Sequence, residues 1–286
     1  MGQAMDINAG GDGPELVQAS SEDSVYAELL SFYKRVLTIR GDYRERLRRA
    51  ITPLDIDDHM RQRLKAGFPL IDMRHLGIDV SLMNAYFVQL LSITENLDSR
   101  DKEQLTELAG DKGEFGRVIQ QALQGRPPAR YPQALSFFLK EILFPLLEVH
   151  AAHLNQRPAW GEWEYGYCPV CGGQPVLGVL RGEAGEKYLI CGACKTKWSF
   201  PRLRCCGCGT REPAHLSYLT ALENGKSRVE ICDHCHTYLK VLDLRSTGEE
   251  MDADIENLTS LHLDMIARSK GYTNVNPLIL PQTPAS

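Results

Sequence analysis

The sequence predicts an α+β multidomain chain: an all-α N-terminal domain, two small tandem cysteine-rich modules and a C-terminal helix. Three observations carry this expectation. Apolar residues recur at helical spacing from Ser24 to about Gln156. From Trp160 to Arg245 the composition then shifts to Cys, Gly, Tyr and short β-branched runs. Within that stretch eight of the nine cysteines form four Cys-x-x-Cys pairs: Cys168/Cys171, Cys191/Cys194, Cys205/Cys208 and Cys232/Cys235.

Residues 1–22 are polar and Gly-rich and read as a disordered leader. The helical domain is expected over 23–157, with Ser20, Ser21 and Asp23 as candidate caps of its first helix. Three stripes support it: Val25, Leu29, Tyr33, Val36 and Leu37; then Met83 to Leu91 with Leu97; then Leu135 to Val149 with His153. Pro145 should kink the last of these helices. Gly67-Phe68-Pro69 and the run from Gly125 to Pro128 separate helices. Asp55, Asp57 and Asp58 suit a helix start, where carboxylates meet free N–H groups.

The cysteine region contains an internal repeat. Cys168-Pro-Val-Cys171-Gly172 is echoed by Cys205-Cys-Gly-Cys208-Gly209, and Ile190-Cys191-x-x-Cys194 by Ile231-Cys232-x-x-Cys235. Between each pair of knuckles lies a hairpin, turning near Gly182 to Gly185 in the first unit and at Asn224-Gly225 in the second. Knuckle, hairpin, knuckle is the plan of a zinc ribbon or rubredoxin, expected over 166–204 and again over 205–246. A Cys-x-x-Cys turn aims two thiolates at one ion, and two such turns complete a tetrahedral site. The repeat favours Cys168, Cys171, Cys191 and Cys194 on one ion, and Cys205, Cys208, Cys232 and Cys235 on the other. A cross-braced arrangement, or pairing of the middle two knuckles, is the alternative. Glycine at 172 and 209 would let backbone N–H groups face the thiolates without a Cβ clash. Cys206 lacks knuckle spacing and reads as a plain thiol, and His215, His234 and His236 as surface or outer neighbours of filled sites. Thiolates alone do not choose iron over zinc.

Four sulfurs leave a metal no open position, so catalysis at the ion is not expected. No phosphate-binding glycine loop or nucleophile–base constellation stands out, and His59, His75, His150 and His153 read as ordinary helical histidines. The net charge of −5 offers no general attraction to nucleic acid or anionic membrane. The strand Lys195-Thr-Lys197-Trp198-Ser-Phe200-Pro-Arg202-Leu-Arg204 interleaves cations with aromatics as a nucleic-acid surface can, yet Trp198 and Phe200 equally suit the packing of a small domain. No apolar run spans a bilayer and no export signal is evident, which points to the cytoplasm. After Arg245 a Gly/Glu/Asp linker leads to one helix over 252–271, with Ile255, Leu258, Leu261, His262, Met265 and Ile266 on a face and Gly271 as its stop. An extended tail over 272–286 follows.

This order of parts resembles the formate dehydrogenase accessory proteins of the FdhE family. The resemblance rests on Cys168-Pro-Val-Cys171-Gly172, Tyr188-Leu-Ile-Cys191-x-x-Cys194-x-x-x-Trp198, Arg204-Cys205-x-x-Cys208 and Ile231-Cys232-x-x-Cys235-x-x-Tyr238-Leu-Lys240. It implies an assembly factor rather than an enzyme, with two metal ions (iron by the resemblance, the thiolates themselves suiting iron or zinc) and the catalytic subunit of formate dehydrogenase as partner. A rubredoxin-like electron carrier and a nucleic-acid-binding zinc ribbon are the other readings. No membrane insertion is expected, and self-association would be weak.

Overall fold

The computed structural model describes residues 4–5, 19–52, 54–126, 131, 133–156, 163–220, 227–245 and 251–276. The chain divides into a helical unit, residues 11–55 and 71–153, and a cysteine-rich unit, residues 1–10, 56–70 and 154–286.

The helical unit holds α1 (Ala19–Ala50), a short 3-10 turn (Met73–His75), α3 (Val80–Ile93), α4 (Ser99–Gly110), α5 (Lys112–Leu123) and α6 (Leu135–Leu154), whose last residue lies past the unit boundary. Helix α1 already runs through Ser20, Ser21 and Asp23, so these lie in its first turns rather than before it. Helices α3, α4 and α5 each begin on an aspartate whose carboxylate accepts a backbone N–H: Asp79 from Leu82, Asp98 from Asp101, Asp111 from Glu114. The core joins Tyr43 and Leu47 of α1 to Met83, Tyr86, Phe87 and Leu90 of α3, Phe115 of α5 and Phe138 and Ile142 of α6. Tyr43 stacks on Tyr86 at 4.0 Å, and Arg40 forks onto the nearly buried Glu141 at 2.7 Å. Helix α6 passes through Pro145.

Helix α2 (Asp58–Lys65), capped by Asp57, was expected in the helical domain but groups with the cysteine-rich unit. Helical periodicity reports that an element has an apolar face and is silent on which core receives it. After α2, Leu70 N–H donates to Pro169 O at 2.9 Å and Tyr167 OH to Gly67 O at 2.6 Å.

The cysteine-rich unit is built on one continuous sheet. Its strands are β1 (Ala4–Met5), β2 (Pro175–Arg181), β3 (Glu186–Cys191), β4 (Lys197–Ser199), β5 (Leu216–Thr220), β6 (Ser227–Cys232), β7 (Thr237–Asp243) and β8 (Thr273–Asn274). The order is β1-β5-β6-β7-β2-β3-β4, with β8 also on β7. Each repeat is an antiparallel three-stranded unit, and each gains a strand after its second knuckle (β4, β7) beyond the expected hairpin. The first hairpin turns at Gly182 to Gly185, both of positive φ; the Asn224-Gly225 turn lies outside the described residues. The two units fuse where β2 pairs in parallel with β7, Gly178 opposite Val241 and Leu180 opposite Asp243. A Cβ on Gly178 would stand 3.0 Å from Val241 Cγ2, which explains a glycine inside a strand.

The single helix expected over 252–271 is two, α7 (Ala253–Thr259) and α8 (Leu261–Ser269), separated at Ser260. Helix α8 buries Leu263, Asp264 and Ala267, of which Leu263 and Ala267 pack with Leu219, Val229, Ile231 and Tyr238 of the sheet. Ile255 and Met265, assigned to the apolar face, are both exposed; Met265 follows the break, which restarts the helical phase. Ala253 packs with Leu177, Val179, Ile190 and Leu242. Gly271 takes a positive φ after α8, and the chain then enters β8. Residues 246–250 of the linker and 277–286 of the tail lie outside the described residues. Among the described residues no helix is long and apolar enough to cross a membrane.

Candidate metal centres

The eight paired cysteines gather into two groups of four sulfurs: Cys168, Cys171, Cys191 and Cys194, and Cys205, Cys208, Cys232 and Cys235. In each group all sulfurs lie within 4.8 Å of one another. Cross-knuckle distances are 3.5 Å for Cys168–Cys194 and Cys171–Cys191, 3.6 Å for Cys205–Cys235 and 3.8 Å for Cys208–Cys232. A tetrahedron with metal–sulfur bonds of about 2.3 Å has edges of about 3.8 Å. The donor set and its spacing therefore fit a four-coordinate thiophilic ion in each cluster.

The sheet sets this geometry. Antiparallel pairing of β2 with β3 and of β5 with β6 brings the two knuckles of one repeat to the same end of its hairpin. The knuckles share one backbone plan. Gly172 N–H donates to Cys168 O and Gly209 N–H to Cys205 O, while Cys168 and Cys205 N–H groups donate to Gly173 O and Thr210 O. Amides of Val170, Ala193, Cys194 and Gly207 approach the first thiol of their knuckle at 3.3–3.5 Å, and those of Thr210 and Thr237 reach the second thiols, Cys208 and Cys235. Gly172 and Gly209 take a positive φ of 76° and 77°, and after Gly209 the Thr210 N–H donates to Cys208, as expected of a glycine at this place. Lys195 and His236, at the equivalent place in the second knuckles, adopt the same left-handed turn at 61° and 54°.

Two residues near the clusters went unread in the sequence. Thr196 and Thr237 each stand two positions beyond the last cysteine, with hydroxyls 3.2 Å from Cys194 Sγ and 3.0 Å from Cys235 Sγ. Each hydroxyl can donate to a metal-bound thiolate. The repeated Cys-x-x-Cys-x-Thr was the available signal.

The clusters differ in exposure. All four cysteines of the first are buried, whereas in the second Cys208 is exposed and Cys235 half-buried. Burial pushes the Cys168 thiol up; Cys191 lies low despite burial, because the neighbouring thiols and the Cys194 N–H donate to it. Cys235 sits at about 7, burial being outweighed by hydrogen bonds from Thr237 and the neighbouring thiols. Cys206 stands apart, half-buried, its thiol pushed up to about 12 by burial. His215 and His234 pack ring to ring at 5.6 Å, and His236 stands 6.1 Å from the Tyr272 ring.

Trp198 and Phe200 are buried, Trp198 donating to Tyr165 O at 3.2 Å. Neither ring offers a face to a nucleic-acid base. In the helical unit His153 pairs with Asp55 at 2.9 Å, and His150 is buried.

Two family models match this part of the chain: the FdhE central domain over residues 167–202 and the FdhE C-terminal domain over residues 203–280. The chain belongs to the FdhE family. An FdhE homologue of Aquifex aeolicus is 28% identical over 256 residues, covering 87% of this chain and 86% of the relative. Escherichia coli K12 FdhE is 27% identical over 247 residues, covering 80% of this chain and 75% of the relative. The crystal structure of the FdhE protein from Pseudomonas aeruginosa superimposes with a TM-score of 0.61 at 26% identity, over 88% of this chain and 95% of that one. The FdhE likeness thus spans the helical as well as the cysteine-rich unit.

Proposed function

We propose that this chain is a cytoplasmic accessory factor in formate dehydrogenase maturation that holds two metal ions and contacts the catalytic subunit of its client. One observation carries the metal half of this reading: two closed tetrathiolate clusters inside the residues matched by both family models. The client follows from membership of the family. Cys168, Cys171, Cys191 and Cys194 would hold one ion, and Cys205, Cys208, Cys232 and Cys235 the other. Bound there, an ion cross-links the ends of a hairpin and, if it is iron, can exchange one electron. Four thiolates leave no position for a substrate, so the role proposed is non-catalytic.

Affinity purification of the tagged chain from cells making formate dehydrogenase tests this directly. The expected result is co-purification of the catalytic subunit with the wild-type chain, and its loss when Cys168 and Cys171 are replaced by serine. Absence of the subunit with a fully metal-loaded wild-type chain would overturn the client assignment. The exposure of Cys208 favours electron exchange as a second property, since an electron donor could approach the second cluster closely. A visible thiolate-to-iron absorption band that bleaches and returns on cycles of reduction and air oxidation supports it; a colourless zinc protein excludes it.

A further inference from the structure

The strands of the second module have two unlike faces. Leu219, Val229, Ile231 and Tyr238 face α8. On the opposite face, where Arg228, Glu230 and Cys232 alternate along β6, lies a cavity of about 540 Å³. Its volume falls within the range of about 300–1,000 Å³ common for small-ligand sites.

Four cations line this cavity, Lys187, Arg202, Arg204 and Arg228, against one carboxylate, Glu230. Glu230 is already shared by Lys187 and Arg228, and Arg204 shares Glu164 with Arg211. Arg202 is exposed and donates to a backbone carbonyl, Ala184 O, at 3.3 Å. The Nε atoms of Arg204 and Arg228 are buried and have no hydrogen-bond partner among the described residues. An acceptor that reached these donors would offset the cost of leaving them unsatisfied. Cys205 and Cys232 also stand in the wall. A divalent ion on four thiolates leaves two negative charges, and the lining remains net cationic beside it. Much of the remaining lining is apolar: Leu203 is 55% exposed, and the Tyr218 ring lies 5.1 Å from the Arg228 guanidinium.

We propose that this cavity binds an organic phosphate. The three arginines would take the phosphate oxygens, since guanidinium forks match phosphate geometry, and Tyr218 with Leu203 would receive a planar or apolar body. The cavity adjoins the second metal cluster through Cys205 and Cys232 and does not depend on which client the protein serves.

Calorimetric titration of the zinc-loaded full chain at low salt, with ADP, pyrophosphate and adenosine as probes, provides the test. One ADP per chain is expected, bound more tightly than pyrophosphate, with adenosine weakest. Arg202→Gln and Arg228→Gln should each weaken ADP by about tenfold or more, the usual loss for one charge-assisted hydrogen bond. Tyr218→Ala should weaken ADP and leave pyrophosphate unchanged. Amide NMR shifts on adding ADP should centre on residues 202–206 and on β5 and β6. Arg202 is exposed and tied to the fold through a carbonyl, so Arg202→Gln guards against a result caused by misfolding. No heat and no shifts at millimolar ADP and pyrophosphate would overturn the proposal. Equal ADP affinity in wild type and folded Arg202→Gln, or shifts confined elsewhere, would overturn it too.

Discussion

At the residue scale, the position after the second cysteine of each knuckle shows how one backbone requirement is met by different side chains. All four residues, Gly172, Lys195, Gly209 and His236, sit at positive φ. Glycine enters this region without strain, whereas an L-residue with a Cβ loses about 1–2 kcal/mol there. A Cβ on Gly209 would meet nothing nearer than Arg204 at 3.7 Å, so φ rather than space is the constraint. Gly209→Ala is therefore expected to destabilise the metal-loaded protein by about 1–2 kcal/mol, and His236→Gly to stabilise it by up to about 1 kcal/mol. Urea midpoints of the metal-loaded variants read both; matching midpoints for Gly209→Ala and wild type would show that the turn carries no strain. Space does rule at Gly173 and Gly207, where a Cβ would stand 3.0 Å from Cys191 Sγ and 2.8 Å from Thr237 Oγ1. The glycines were visible in the sequence, but their separate reasons were not. Within one knuckle, torsion limits the glycine after the second cysteine, and a neighbouring side chain limits another glycine.

At the element scale, β7 and α8 are locked by a buried polar cluster. Lys240, with its side chain 1% exposed, donates to Asp264 at 2.6 Å and to Asn257 O at 2.8 Å. Tyr238 OH donates to the other Asp264 oxygen, also at 2.6 Å. Burial holds the Lys240 ammonium below its usual value even though Asp264 opposes this, so the charge is stabilised mainly by its partner. Lys240→Met should cost about 3–5 kcal/mol, because it removes the cation and leaves the carboxylate in the core with only the neutral donors of Tyr238 and Asn274. Adding Asp264→Leu to that variant should recover much of the loss, since a matched apolar pair carries no such penalty. Thermal melting of the metal-loaded single and double variants checks this; a double variant as unstable as Lys240→Met would locate the cost elsewhere. Helical spacing alone points Met265 inward and gives no sign of Asp264. A polar residue that enters a core through one specific partner carries no periodic signal.

At the scale of the whole molecule, the metal clusters and the sheet form one unit, while the helical unit has a core of its own. Removing the metals should therefore act unevenly. Chelation is expected to strip the second cluster first, because Cys208 is exposed and Cys235 half-buried, and to release the buried first cluster slowly. Four ligand thiols should become reactive in each of two phases, with the free Cys206 adding one more as the second module loosens, and β-sheet signal should be lost while most helical circular dichroism persists. A single phase releasing both ions together would mean that the shared sheet couples the clusters more strongly than exposure separates them. That sheet is the feature the repeat did not announce. Each knuckle–hairpin–knuckle reads as a self-sufficient module, whereas β2 and β7 join the two edge to edge.

By itself the sequence determined the parts that depend on near neighbours: four Cys-x-x-Cys turns, the hairpin between the knuckles of each repeat, and the apolar stripes of α3 and α6. These follow from short-range geometry, in which spacing along the chain already fixes direction in space. Tertiary structure alone decided that α2 belongs with the cysteine-rich unit, that the last helix breaks at Ser260, and that both modules lie in one sheet. It also decided that one cluster is buried and the other open, with a cationic cavity beside it. These outcomes turn on which surfaces meet, and contact energies between segments far apart in the chain leave no periodic trace in either one.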